Sequence, residues 1–396
     1  MLLEGLKVVE LSTWVAAAGC ASVMADWGAD VIKVESPGGD GLRAFYPDTA
    51  ESPGNPVFSL ENRGKRGVVL DTNAPEGREA LLALLRQADV FLTNVRPGSL
   101  KRGRLDYDSL KDEFPRLIYA NVTGHGLTGD LADQAAFDTT AFWARTGAAA
   151  ATIPPDQEPF GLRPGFGDHM AAMSILSGIL AAVYERNTTG RGRHLETSLL
   201  RAGAYAMGWD LSLQLRYGAV VTAQPAKDRM LALTGFFRTG DDRHFVVVTR
   251  GGDDPRKALV AIGREDLASD PRNLPPFRDI EDVRRVRAVL DAAFGGMTLE
   301  EAGALMESID VAWAPMETLG DLEANPQAHD AGCFVPVDDG WGGSFLAPAA
   351  PVGFTDLDTS PRGPSPKLGQ HTRQVLASAG YSEAEIDALF ARGSAA

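Results

Sequence analysis

Short apolar runs alternate with longer amphipathic or alanine-rich stretches over the first 125 residues. Positions 8–11, 31–34, 67–70, 90–93 and 117–122 read as strands, brief and rich in Val, Ile and Leu. Between them, 15–27 is alanine-rich and stops at Gly28, as a helix with a glycine terminus does. Asn73, Pro75 and Glu76 open a second helix running into EALLALLRQ, and a short third is predicted near 106–113. Strands separated by helices predict an α/β fold with a parallel sheet covered on both faces.

Beyond 125 the pattern loosens. A helical patch at 138–146 precedes a Pro- and Gly-rich run at 153–167, and a long helix is predicted from about 169 to 186. A short strand near 193–196 leads into a mostly helical 195–215. The composition then shifts: 219–232 reads as a connector, 236–239 and 245–249 as a hairpin around Gly240-Asp241-Asp242, and 254–262, 281–294 and 299–308 as helices. A strand at 311–314 and a Pro-, Gly- and Asp-rich stretch at 325–365 precede two closing helices near 371–379 and 382–392. The division this predicts is a large domain over 1–218, a linker and smaller α+β domain over 219–325, and a return to the large domain over 326–396.

The 396 residues are 44% hydrophobic and 23% charged, which fits folded domains and excludes a disordered chain. A formal net charge of −15 gives no general attraction for nucleic acid or an anionic membrane, so neither is expected as a partner. Cys20 and Cys333 are too few for a disulfide framework, and reduced thiols in a cytoplasmic protein are expected. The opening MLLEGLKVVEL carries Glu4 and Lys7 inside its apolar run and is expected to be a first strand.

The first strand-to-helix turn, LSTWVAAAGCA, lacks G-x-G-x-x-G, and no Walker-A sequence occurs. The six histidines show no metal-ligand spacing, so no metal is expected. With no G-x-S-x-G elbow, carboxylates become the nucleophile candidates. Asp168 follows Pro164-Gly165-Phe166-Gly167 where the long helix opens. It reads first as an N-cap; the same geometry also suits an ionised carboxylate placed to attack an activated carbonyl. Basic residues gather near strand ends: Arg43, Lys65, Arg66, Arg96, Lys101, Arg102 and Arg104 form either a solvated rim or a phosphate site. His125 lies between two glycines.

These residues carry a resemblance. GLKVVELSTWVAAAGCASVMADWGADVIKVESPGGDGLR, NRGKRGVVLD (62–71), NVRPGSLKR (94–102), PRLIYANVTGHG (115–126), GDHMAAMSILSGILAAVYERNTTGRGRHLETSLL (167–200) and LGQHTRQVL (368–376) resemble the family III CoA-transferases. That family includes formyl-CoA and carnitine CoA-transferases, with α-methylacyl-CoA racemase as a relative. The resemblance implies a Rossmann-like large domain, a small domain, and two subunits interlocked like rings in a homodimer. It implies a CoA thioester as substrate, with no permanently bound cofactor, and a carboxylic acid as the second substrate. Asp168 matches the family's catalytic aspartate, which forms an aspartyl–acyl anhydride and then an aspartyl-CoA thioester in ping-pong fashion. Val15, Ala17, Arg43, Asn94 and Arg102 match positions at the CoA entrance or near its nucleotide, with Lys65 and Arg66 weaker candidates. Phe137, Asp138, Gly167 and His169 are possible supporting residues.

The racemases carry a histidine before an aspartate where this chain reads Ala136-Phe137-Asp138; phenylalanine cannot move a proton, which favours transfer over racemisation. The glycine-rich loop of formyl-CoA transferase is not evident at 219–240, and Gly251-Gly252 is too short, so a larger acyl group than formyl or oxalyl is expected. Trp143, Trp209, Phe236 and Phe237 are candidates to line its pocket or to be plain core. The alternatives are an acyl-CoA racemase or epimerase and a CoA-binding, non-catalytic subunit of a hetero-oligomer.

Overall fold

Six parallel strands form the central sheet of the computed structural model: β1 (Lys7–Leu11), β2 (Asp30–Glu35), β3 (Arg66–Val69), β4 (Val90–Thr93), β5 (Ile118–Thr123) and β6 (His194–Ser198). Their order, β3-β2-β1-β4-β5-β6, is that of the Rossmann fold. The structure describes residues 1–46, 49, 51, 54–219, 230–251 and 253–396. Most of the connector read at 219–232 lies outside these, as does Gly252.

The apolar runs are buried because both faces of the sheet are covered, and alternate residues serve alternate faces. Val8, Val31, Val90, Leu92, Ile118 and Ala120 face a core completed by α1 (Ala16–Asp26) and later helices. Val9, Val34, Val68, Phe91 and Tyr119 face a second core completed by Leu81, Leu85, Val375, Leu376, Ile386 and Leu389. The helices between the strands are α2 (Pro56–Asn62), α3 (Pro75–Leu85), α4 (Pro97–Arg102), α5 (Tyr107–Leu110), α6 (Ala148–Thr152) and α7 (Phe166–Thr189). After β6 come α8 (Leu199–Ala206) and α9 (Gly208–Tyr217). Helix α3 opens on Pro75 with Ala74, not Asn73, at the capping position, and the Asn73 N–H donates to Asp71.

The 24-residue α7 is long and apolar enough to cross a bilayer by length and composition. Its Ala171, Ala172, Ile175, Leu176 and Ile179 are buried in the first core, packed against small residues of α1 such as Ala17 and Ala21.

Contacts divide the chain into two compact units, one of residues 1–149, 159–220 and 328–396, the other of 150–158 and 221–327. In the second unit, β7 (Gly235–Arg238), β8 (His244–Val248) and β9 (Ala312–Pro315) pair antiparallel. Phe237, Phe245 and Phe294 meet there edge to face or stacked, with ring centroids 4.9–5.6 Å apart. Phe237 is therefore a core residue and not a pocket wall. In the first unit, β10 (Phe334–Asp338) and β11 (Ser344–Pro348) form a hairpin inside the Pro-, Gly- and Asp-rich stretch.

Candidate active site

Strand order reverses between β1 and β4, and the crevice beyond their carboxyl ends is where open α/β sheets take ligands. Asn94, just past β4, pins the loop after β1: its Oδ1 accepts from the Thr13 N–H at 3.1 Å and its Nδ2 donates to the Thr13 carbonyl at 2.6 Å. Trp14 adopts a left-handed backbone (φ 64), costly for a large side chain, and its N–H donates to Asp40 Oδ1 at 3.1 Å. Thr13, Trp14, Asn94, Arg96, Gly124 and Phe137 are among the residues lining a cavity of about 330 Å³ here. Lys101 and Arg104 line a second cavity of about 650 Å³, which shares Pro97 with the first.

Buried charges hold this floor. Lys33 Nζ lies 3.2 Å from Glu10 and 3.0 Å from Asp40, and Lys65 Nζ lies 2.6 Å from the other Glu10 oxygen. Lys65 also donates to the Ala18 carbonyl in α1 and to Asn62 in α2, so one ammonium ties strand to both helices. Burial alone would raise the Glu10 carboxyl, but the two lysines outweigh it and push it down to about 2. Lys65 is thus spent inside the protein. Arg66 pairs with Asp30 at the amino ends of β3 and β2, the edge of the sheet opposite the crevice. Neither can meet a phosphate in the crevice.

The long helix begins three residues earlier than its sequence pattern indicates. Gly165 takes the left-handed capping conformation (φ 86), so Asp168 lies inside the first turn of α7 and is not its N-cap. Gly167 admits close packing: a Cβ there would sit 2.6 Å from Phe142 Cγ and 2.9 Å from Asp138 Cβ. This brings Asp138, the first residue of a π-helical segment (Asp138–Ala144), against the start of α7. Asp138 is buried; one oxygen accepts from the Thr139 N–H at 2.7 Å, and the other has no hydrogen-bond partner among the described residues.

The electrostatics differ from those of a simple helix cap. Burial first, then the neighbouring Asp138, push the Asp168 carboxyl up to about 7; His169 opposes this and Glu61 adds to it. The helix dipole does not keep Asp168 in the ordinary carboxylate range. A half-buried carboxylate crowded by a like charge is reactive once ionised.

Other sequence candidates fall in different places. Ala17 is fully buried in the core, so its side chain lines no entrance. Val15, at the capping position of α1, is half-buried. Arg43 makes a bidentate pair with Glu35 at 2.7 and 2.8 Å and lies 3.9 Å over the Phe58 ring, committed to the protein. Arg102 is exposed, with Nη2 bonded to Ser99 at 2.8 Å. Phe137 is exposed and packs edge-on to Trp14, which also meets Phe45. Trp143 packs against Phe160, and Trp209 stands exposed on α9. His125 is held below the usual histidine range by burial, then by Arg145.

Sequence reasoning missed Glu61. Its helix, α2, is announced by Asn55-Pro56: Asn55 Oδ1 accepts from the Phe58 N–H at 2.9 Å and Pro56 sits at the first helical position. Glu61 is buried in the last turn and contacts His169.

CoA-transferase family III matches residues 3–372 of this chain. The chain is 34% identical to the (R)-2-hydroxy-4-methylpentanoate CoA-transferase of Clostridioides difficile, over 98% of each chain. It is 31% identical to the cinnamoyl-CoA:phenyllactate CoA-transferase of Clostridium sporogenes, over 98% of this chain and 96% of that one. A CaiB/BaiF family protein of Brucella suis has a crystal structure similar to this one, with a TM-score of 0.82 at 29% identity, covering 95% of this chain and 99% of that one. With a sheet in Rossmann order and the family model matched over residues 3–372, the chain belongs to CoA-transferase family III.

Proposed function

We propose that the protein moves CoA from an acyl-CoA thioester to a free carboxylic acid through covalent intermediates on Asp168. The single observation that carries this reading is the crowding of Asp168 by burial and by Asp138 at the start of α7. An ionised Asp168 oxygen attacks the thioester carbonyl, the C–S bond breaks, and an aspartyl–acyl anhydride and CoA thiolate result. The thiolate attacks the aspartyl carbonyl, releasing the first carboxylate and leaving an aspartyl-CoA thioester. The acceptor carboxylate repeats both steps in reverse and departs as its CoA ester. No proton is gained or lost overall.

The first-turn N–H groups of α7 and its dipole favour the negative charge of the tetrahedral oxygens. In this reading Val15, Asn94 and Arg102 hold CoA, with Arg96 beside them, while Arg43 shapes the entrance through Glu35. Trp14, Phe45 and Phe137 support an apolar acyl group, branched or aromatic, as the first class to try. Both relatives' names point to 2-hydroxy acids with such side chains. The exposed Tyr205, Trp209 and Tyr217 on α8 and α9 support a homodimer in which a second copy covers them.

The test mixes the enzyme with donor alone: (R)-2-hydroxy-4-methylpentanoyl-CoA, cinnamoyl-CoA or succinyl-CoA. Intact mass should show a CoA adduct that hydroxylamine converts to a hydroxamate mapped to Asp168, absent in Asp168→Asn. The absence of any adduct with all three donors, or solvent deuterium entering the acyl α-carbon without an acceptor acid, would overturn the reading.

A further inference from the structure

Glu61 is buried to 2% exposure, and a carboxylate so far from water needs a charged or hydrogen-bonding partner. Its Oε1 lies 2.8 Å from His169 Nε2. Its Oε2 occupies space that a side chain on α1 would take: a Cβ on Gly19 would sit 2.7 Å from that oxygen and 3.6 Å from His169 Cδ2. Three elements therefore build one contact, with α2 supplying the acid, α7 the imidazole and α1 the gap. The last turn of α2 is itself fixed, because Asn62 beside Glu61 accepts from the buried Lys65.

His169 follows Asp168 directly, and its imidazole is about half exposed while the acid beneath it is not. The charged groups that face it are Glu61 on α2, Asp168 on α7 and Asp138 on the π-helical segment; α1 contributes only the glycine. Three carboxylates thus surround one ring. The hydrogen bond to Glu61 raises the imidazole above its usual range; burial opposes this, and the Glu61, Asp168 and Asp138 charges add to it.

We propose that Glu61 and His169 form a fixed charge pair whose imidazolium stands beside Asp168 and favours the ionised form of the nucleophile. This rests on the reading of Asp168 as nucleophile. His169 is a positioning residue here: it acts through Asp168, opposing the proton affinity that burial and Asp138 impose. Glu61 acts one step further back, by keeping the ring charged.

The experiment has two readouts. The first is the pH dependence of Asp168 adduct formation from (R)-2-hydroxy-4-methylpentanoyl-CoA, cinnamoyl-CoA or succinyl-CoA in single turnover. In His169→Gln the acid limb should move up by about half to one pH unit, with the high-pH plateau kept within a few-fold, and His169→Lys should move it back. The second is titration of the His169 ring by nitrogen NMR, assigned by its loss in His169→Gln. The ring should titrate above the usual histidine value in the native enzyme and about one unit lower in Glu61→Gln. An acid limb unmoved in His169→Gln, a plateau lost without movement of the limb, or a ring indifferent to Glu61→Gln overturns the pair. If the native enzyme forms no adduct, the nucleophile reading falls instead, and titration of the Asp168 carboxyl carbon in native and His169→Gln protein decides whether the pair controls that carboxyl.

Discussion

Asp138 packs against the bare α-carbon of Gly167, the residue before Asp168, and its charge is second only to burial in holding a proton on Asp168. The Asp168 carboxyl is therefore titrated by its neighbour. Exchange should rise with pH through about 7 in the free enzyme, where Asp168 loses its proton. Asp138→Asn removes the like charge and should move the acid limb of kcat/KM down by about half to one pH unit. A pH–rate profile on both proteins checks this, and an unmoved limb would show that Asp138 does not govern the ionisation.

Asp168 should also weaken the fold at neutral pH. An acid whose folded-state value rises from 3.8 to about 7 binds its proton more tightly when folded, so stability falls as pH climbs between those values. Asp168→Asn should accordingly stabilise the protein by about 1–3 kcal/mol at pH 8 and by almost nothing at pH 4. Urea denaturation at the two pH values measures the difference. Equal effects at both would contradict the crowding described for this site.

Glu10 behaves in the opposite sense. Its carboxyl is depressed from 4.5 to about 2, so the stability it contributes is complete above 4.5 and disappears as pH falls toward 2. Glu10→Gln would leave Lys33 and Lys65 buried without their shared anion, at a cost of about 3–5 kcal/mol. The denaturation midpoint at pH 7 should drop accordingly, and the variant should lose less further stability on acidification than the native protein does.

Asn94 should matter for binding more than for chemistry. Asn94→Ala removes both hydrogen bonds to Thr13 and frees the loop bearing Trp14. A loss of about 1 kcal/mol corresponds to roughly a fivefold rise in KM for the acyl-CoA donor, with kcat little changed. Steady-state kinetics separates the two; a fall in kcat alone would move Asn94 from CoA binding to the reacting centre.

The first five strands could be read from the chain because each carries a short apolar run largely buried on both faces, as at Val90–Thr93. The start of α7 could not be placed, because Gly165 caps it through a left-handed backbone and offers no side-chain signal. Asp168 thus looked like a cap, although it lies inside the first turn. The seven residues of α2 are too few to show a helical period, and the β10–β11 hairpin lies in Pro- and Gly-rich sequence that reads as loop. The partnership of Glu61 with His169 joins positions 108 apart, and no local pattern in one chain encodes it. Lys65 and Arg43 show the converse: a cation near a strand end looks ligand-directed until its buried anion is seen.

Because Asp168 rides on the first turn of a helix seated in the main core, and not on a free loop, its aim depends on the close fit between α7 and the small residues of α1. Asp168 therefore shares the rigidity of the packing around α7. Heating should consequently abolish turnover and the folded state over the same few degrees, without an intermediate range in which an intact but misaligned enzyme persists.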